Sequence, residues 1–429
     1  MKVWRFVVIV LLQIYFSLTA YSFDGMTDSL AQLSSKYYSE GLYSKTIDLI
    51  HQNDSLSLPS KIYFYGGMSS AALYNFQQSK FFFQKAIEKD SMNAQWRYQF
   101  GCMLKQAGLY DEAIPQLETC FRLDSTYLPA YFQLGIVYNL KRKNENKEAE
   151  IFSFLVQKNQ KDFLSLFYLG DALKRMEHSD SGIIFIQRSY ALNRQFFPSV
   201  IALANYDNSK KDFPTARKYY QQALALKPVN EDVTFQIGEC YRRMGELDSA
   251  VAYFRRALAL DSLNAIYHAQ LGYAYFSQEN YDSSIAEYNT AIVLDSTTVQ
   301  YCLNLAHVFE KVDSVQGAEQ AYERAIQELQ PIAISHVYNN LAAFYFTKRL
   351  WRKASEAYQH VLEFNPENKA ALRFLAMTYE RIPDFRSAIQ AYEKYLEITK
   401  VDTARFSDYQ MIKRDIEQLR QELRKSKPQ

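Results

Sequence analysis

The sequence predicts an all-α fold: a superhelical solenoid of about eleven stacked helix hairpins, closed by a C-terminal capping helix. Three observations carry this expectation. The 429 residues include only 13 glycines and 10 prolines, which disfavours a turn-rich β architecture. Apolar residues recur at three- and four-residue spacing along nearly the whole chain, the period of a helix that buries one face. The chain also restates itself. GECYRRMGELDSAVAYFRRALALD at 238–261 is followed 34 residues later by GYAYFSQENYDSSIAEYNTAIVLD at 272–295.

The chain opens MKVWRFVVIVLLQIYFSLTAYSF. Lys2 and Arg5 precede an apolar run from Phe6, and small residues follow at Ser17, Ala20 and Ser22. That is the form of a secretory signal peptide over residues 1–22, cleaved near Ala20 or Ser22. Left uncleaved, residues 6–22 would be an anchor, although they fall short of the roughly 20 apolar residues that a membrane span needs. The expected location is exported, periplasmic or otherwise extracytoplasmic.

Residues 23–402 hold the repeats. Stepping through the chain at the period gives a column of small residues: Gly67, Gly101, Gly135, Gly170, Ala204, Gly238, Gly272, Ala306, Ala342 and Ala376, with a two-residue insertion before Ala342. A second small column runs Ala113, Gly182, Ala216, Ala250, Ser284, Ala318, Ala354 and Ala388. A bulky one runs Phe83, Leu117, Ile186, Tyr220, Phe254, Tyr288, Tyr322, Tyr358 and Tyr392. Another holds Leu104, Tyr138, Leu173, Tyr241, Tyr275, Phe309, Tyr345 and Tyr379, broken once by Asp207. Small residues belong where two helices approach to about 8–10 Å, and large ones fill the wider wedge between hairpins. One hairpin cannot bury both of its faces, so each copy is the packing surface for the next.

This pattern resembles the tetratricopeptide repeat. Gly238, Ala250 and Ala257 are its small residues, Tyr241 and Phe254 its aromatics, and Asp261 its close. The resemblance implies a right-handed superhelix, with units beginning near Thr27, Ser60, Ala94, Leu128, Phe163, Phe197, Glu231, Ala265, Val299, Ser335 and Lys369. Three units depart from it. The first lacks the small column in its first helix, KRKNENKE blurs the second helix of the unit from Leu128, and Glu177–Ser181 replaces a tight turn. Residues 403–429 form a capping helix and tail, with Met411, Ile412, Ile416, Leu419 and Leu423 as the apolar stripe.

The search for chemistry finds no phosphate loop, no nucleophile elbow and no HExxH, and six scattered histidines. No enzyme, cofactor or metal site is expected. The four cysteines show no CxxC spacing. Cys102 and Cys120 fall on the two helices of one hairpin, where a disulfide could form, though buried free thiols are the expectation. The net charge is +2, and nothing remains of it once Lys2 and Arg5 are set aside. Such a chain has no bulk field for nucleic acid or for an anionic membrane.

What remains is surface. In the family that this chain resembles, the first helices line a groove that receives a peptide. The matching residues here are Phe132, Asn139, Phe167, Lys174, Arg175, Asn205, Phe235, Glu239, Arg242, Arg243, Tyr273, Phe276, His307, Asn339, Phe346 and Arg373. Mixed aromatic and amide lining suits recognition of a chain segment. Asn205 has a place in the family's carboxylate clamp, but Ile201 stands where a basic residue would be needed, so no clamp is expected. Arg242, Arg243, Lys174 and Arg175 are the candidates for an acidic ligand group. The expected function is an exported scaffold that binds another protein or peptide, with no nucleic acid and no small-molecule substrate. A self-associating rod is the alternative. An accessory subunit of a glycosyltransferase-type enzyme is a remoter one, since no stretch is left over for a catalytic domain.

Overall fold

In a computed structural model the described residues are 26–53, 57–327, 331–399 and 406–425, and every regular element among them is helical. The leader expected over residues 1–22 lies outside them. The chain divides into two compact units, at Tyr206 and Asp207.

The first unit contains α1 (26–39), α2 (Tyr43–Gln52), α3 (Ser60–Ala72), α4 (Phe76–Lys89), α5 (Ala94–Gln106), α6 (Tyr110–Leu123), α7 (Leu128–Lys141), α8 (Glu145–Lys158), α9 (Phe163–Arg175) and α10 (Ser179–Leu192). The division falls inside α11 (Phe197–Ser209). The second unit contains α12 (Phe213–Leu226), α13 (Glu231–Arg243), α14 (Leu247–Leu260), α15 (Ala265–Ser277), α16 (Tyr281–Leu294), α17 (Val299–Lys311), α18 (Val315–Gln327), α19 (Pro331–Thr347), α20 (Trp351–Phe364), α21 (Lys369–Arg381), α22 (Phe385–Thr399) and α23 (Phe406–Lys425). Within each unit, helices pack against their neighbours in chain order, the stacking of a solenoid of tetratricopeptide hairpins.

The columns explain the packing. A Cβ built on Gly67 would meet Phe83 at 2.8 Å, one on Gly101 would meet Leu117 at 2.6 Å, and one on Gly238 would meet Phe254 at 2.7 Å. Small residues of each first helix thus lie directly over the bulky residue of its partner. The bulky residue then reaches the next hairpin: Phe83 stacks on Phe100 at 5.4 Å, and Tyr358 on Phe374 at 5.9 Å. The member absent from the bulky column is Phe152, which a Cβ on Gly135 would meet at 2.6 Å and which stacks on Tyr168 at 5.1 Å.

Turns repeat as well. The residue between the two helices of a hairpin is left-handed at Gly41, Gly108 and Gly245, and also at Tyr74, Glu279 and Asp313. Asparagine closes many of the helix starts: the side chains of Asn93, Asn230 and Asn368 accept from the amides of Trp96, Val233 and Ala371.

Several expectations are corrected. The first unit does have its small residue, Ser34, which is fully buried and donates to the Ala31 carbonyl at 2.9 Å. KRKNENKE does not blur α8, because Asn144 accepts from the Lys147 amide at 3.0 Å and starts a full 14-residue helix. The tenth unit is helical from Pro331, ahead of Ser335, and proline is at home in a first helical turn. Met411 is 43% exposed while Ile412, Ile416 and Leu419 are buried, so the stripe of α23 starts one residue later. The cysteine expectation is met rather than corrected: Cys102 and Cys120 are free thiols, and burial pushes the Cys120 thiol up to about 11.

Candidate partner-binding site

In the first unit the expected face holds an ionic cluster around one buried carboxylate. Arg175, in the last turn of α9, sends Nη2 to both Glu148 oxygens at 2.7 and 2.6 Å and Nε to Asp171 at 3.2 Å. Asn139 on α7 donates to Glu148 at 2.9 Å, and Glu145 lies 3.5 Å from Arg175. Glu148 is fully buried, and burial raises its carboxyl above the ordinary range against the opposing pull of Arg175 and Asn139. Arg175 is therefore already neutralised and does not serve as a free cation, whereas Lys174 is only half-buried. Phe132 and Phe167 are half-buried in aromatic contacts, Phe132 with Phe152 at 5.8 Å and Phe167 with Phe196 at 5.2 Å. Asn205 is exposed.

In the second unit Phe235 is a correction. It is only 9% exposed and stacks on Tyr267 at 4.6 Å, because its place in α13 faces the next hairpin. Arg242 is held by both oxygens of Glu239 at 2.8 Å, with its guanidinium 5.0 Å above the Tyr273 ring. Of that pair of arginines, only Arg243 is largely exposed, 4.0 Å from Glu239. Phe276 packs against the His307 ring at 5.2 Å. Phe346 meets Trp351 and Phe374 edge-on at 5.3 and 5.4 Å, as part of the stack. Arg373 and Asn339 are half-buried.

A concavity of the second unit lies between α17 and α19. It encloses about 670 Å³ and is lined by Gln300, Leu303, Asn304, His307, Glu310 and Tyr322 on one side, and by Asn340, Ala343, Phe344, Thr347 and Lys348 on the other. Leu303 and Phe344 give it apolar surface. Gln300 donates to Asn304 at 2.8 Å, which leaves amide groups facing the space. Glu310 accepts from the Tyr322 hydroxyl at 2.8 Å and pairs with His307 at 3.2 Å. Burial, together with the bond to Glu310, raises the Tyr322 hydroxyl far above its ordinary range. Lys348 is taken by Asp313.

Of the expected residues the concavity gathers His307, with Leu303 and Glu310 beside it; Asn340 lines it, one residue on from Asn339. The sequence did carry a signal for it. The step from Ala306 to Ala342 is longer than the period, and the insertion lies between α17 and α19, where this space opens. Glu148 was missed because the charged run before it hid the register. Counted from the start of α8 it occupies the place held by Ala113 in α6 and by Gly182 in α10.

Two sequence profiles described as tetratricopeptide repeat match the chain, one over residues 201–265, 235–299 and 345–402, the other over residues 94–127. The chain carries tetratricopeptide repeats over these segments. No curated protein matches it. Among solved structures, the C-terminal part of a TPR repeat-containing protein from Cytophaga hutchinsonii is 17% identical, with a TM-score of 0.42, over 64% of this chain and 98% of that one. Yeast Tom70 is 14% identical, with a TM-score of 0.38, over 94% of this chain and 97% of its own.

Proposed function

We propose that the protein is an exported, non-catalytic scaffold that holds a segment of another protein in the concavity between α17 and α19. The observation that carries this reading is the lining itself. Amides of Gln300, Asn304 and Asn340 beside the apolar Leu303 and Phe344 provide what an extended chain needs, with hydrogen bonds for its backbone and area for its side chains. The volume of about 670 Å³ falls within the range of pockets that enclose a ligand. Tetratricopeptide repeats fit the scaffold role, since a stack of hairpins presents surface and no irregular catalytic loops. Export rests on the basic and apolar leader, MKVWRFVVIVLL, and on the small residues that follow it. No described helix is long and apolar enough to cross a membrane.

The test is site-specific photocrosslinking in native cells. A photoreactive phenylalanine at Asn340 should give one discrete crosslinked partner in the extracytoplasmic fraction. The same group at the exposed Val293 should give none. Equal labelling from both places, or no partner from Asn340, overturns the reading.

A further inference from the structure

A second concavity of the second unit, about 430 Å³, lies at the corner between the start of α20 and the end of α21. It is lined by Leu350, Trp351, Arg352, Lys353, Arg381 and Ile382. In four other hairpins the equivalent corner carries an acid. The second residue of the second helix is Asp111 in α6, Asp180 in α10, Asp248 in α14 and Asp282 in α16. Three of these reach the next hairpin: Asp111 pairs with Lys141, Asp180 accepts from the Tyr206 hydroxyl at 3.1 Å, and Asp248 accepts from Gln278 at 2.7 Å. In α20 that place is Arg352, and the residue that closes α21 is Arg381. The pair that would close the corner is replaced by two cations, which repel one another, and the corner stands open.

Among the described residues none supplies the missing anion, and neither Arg352 nor Arg381 has an ion-pair partner. Lys353 is occupied by Glu319. Asp384, close in sequence to Arg381, accepts from the Ser387 amide at 3.2 Å. The start of α20 has no side-chain cap at Leu350 and no acid in its first turn, so its free amides add to the positive field.

We propose that this corner binds a carboxylate side chain from an acidic segment of a partner protein. Two guanidinium groups suit an oxyanion, which they can hold by paired hydrogen bonds. Leu350, Trp351 and Ile382 add apolar surface that a bare inorganic ion would leave unused and that the stem of a glutamate would cover. The site is separate from the concavity between α17 and α19 and does not depend on it.

Titration calorimetry on the full chain tests the proposal with two probes, acetyl-triglutamate amide and inorganic phosphate. Triglutamate should bind saturably, weaken with added salt and change the Trp351 fluorescence. Arg381→Ala should weaken it about tenfold, the loss of one charge-assisted contact. Arg352→Asp places there the acid that α6, α10, α14 and α16 carry. It should abolish binding while leaving the melting temperature unchanged or raised. Arg352→Gln serves if the aspartate variant fails to fold, and should also lose affinity. Saturable phosphate binding without triglutamate binding would assign the corner to a free anion and overturn the proposal. So would triglutamate binding that survives Arg352→Asp or Arg352→Gln, or its absence in the native chain.

Discussion

Glu148 shows how one side chain can depart from its repeat and still be held. It stands where the neighbouring hairpins carry alanine or glycine, and it is fully buried. An ionised carboxylate there is costly, and Arg175 and Asn139 offset that cost by hydrogen bonds. Removing either ionic partner alone leaves the other charge under-compensated. Arg175→Met should therefore cost about 3–5 kcal/mol, and Glu148→Ala less, because Asp171 remains beside Arg175. The double variant should recover most of the loss, since it restores the small residue of the column and removes both charges. Denaturant unfolding of the four proteins closes the cycle, and additive losses would show that the pair is not coupled. Burial also raises the folded pKa of Glu148 above its ordinary value. Its contribution to stability is thus complete below that ordinary value and is lost as pH rises through the folded one.

At the scale of the helix pair, the spacing of close approach was legible in the sequence and its tolerance was not. The column Gly67 to Ala376 marked the crossings because only small residues recur there. How much room each crossing has depends on the partner ring. A Cβ on Gly238 would meet Phe254 at 2.7 Å, whereas one on Gly272 would meet Tyr288 at 3.3 Å. The first contact forces a ring or a helix to move, and the second asks only a few tenths of an ångström. Gly238→Ala should therefore lower stability by about 1–3 kcal/mol through overpacking, and Gly272→Ala by clearly less. Thermal unfolding of the two variants decides this, and equal losses would mean that the rings, not the helix axes, absorb the strain. The candidate site was less legible than the crossings. The period singles out first helices but not which neighbours stand apart. Only the insertion before Ala342 marked the place, and a residue count cannot give the rotation that brings Asn340 to the concavity beside Asn339.

Across the whole molecule the bulky column differs between the two units in a way that chemistry can read. In the first unit it is Phe83, Leu117, Phe152 and Ile186, none of which titrates. In the second it is Tyr220, Phe254, Tyr288, Tyr322, Tyr358 and Tyr392. Burial pushes the Tyr358 hydroxyl up to about 12 and raises Tyr220, Tyr288, Tyr322 and Tyr392 further. Tyr322 and Tyr392 also donate to Glu310 and Glu380 at 2.8 Å, bonds that a tyrosinate could not make. A raised folded pKa means that the native state holds its proton more tightly than the unfolded chain. The stabilisation is complete below the ordinary tyrosine value near 10 and is lost as pH climbs from there through the folded values. Each such group withdraws about 1.4 kcal/mol per pH unit in that window, so several together exceed the usual margin of a domain within a unit or two. The second unit should therefore unfold first on alkaline titration, between about pH 10 and 12, ahead of the first, where burial raises Tyr98 and Cys120 but the bulky column holds no tyrosine. Helical circular dichroism should fall in two steps. The earlier step should coincide with the rise of tyrosinate absorbance from the buried tyrosines, and limited proteolysis at that pH should cut within residues 207–399 before it cuts within 26–206. A single step, or tyrosinate formation with the helices of the second unit intact, would show that these hydroxyls reach solvent without opening the stack.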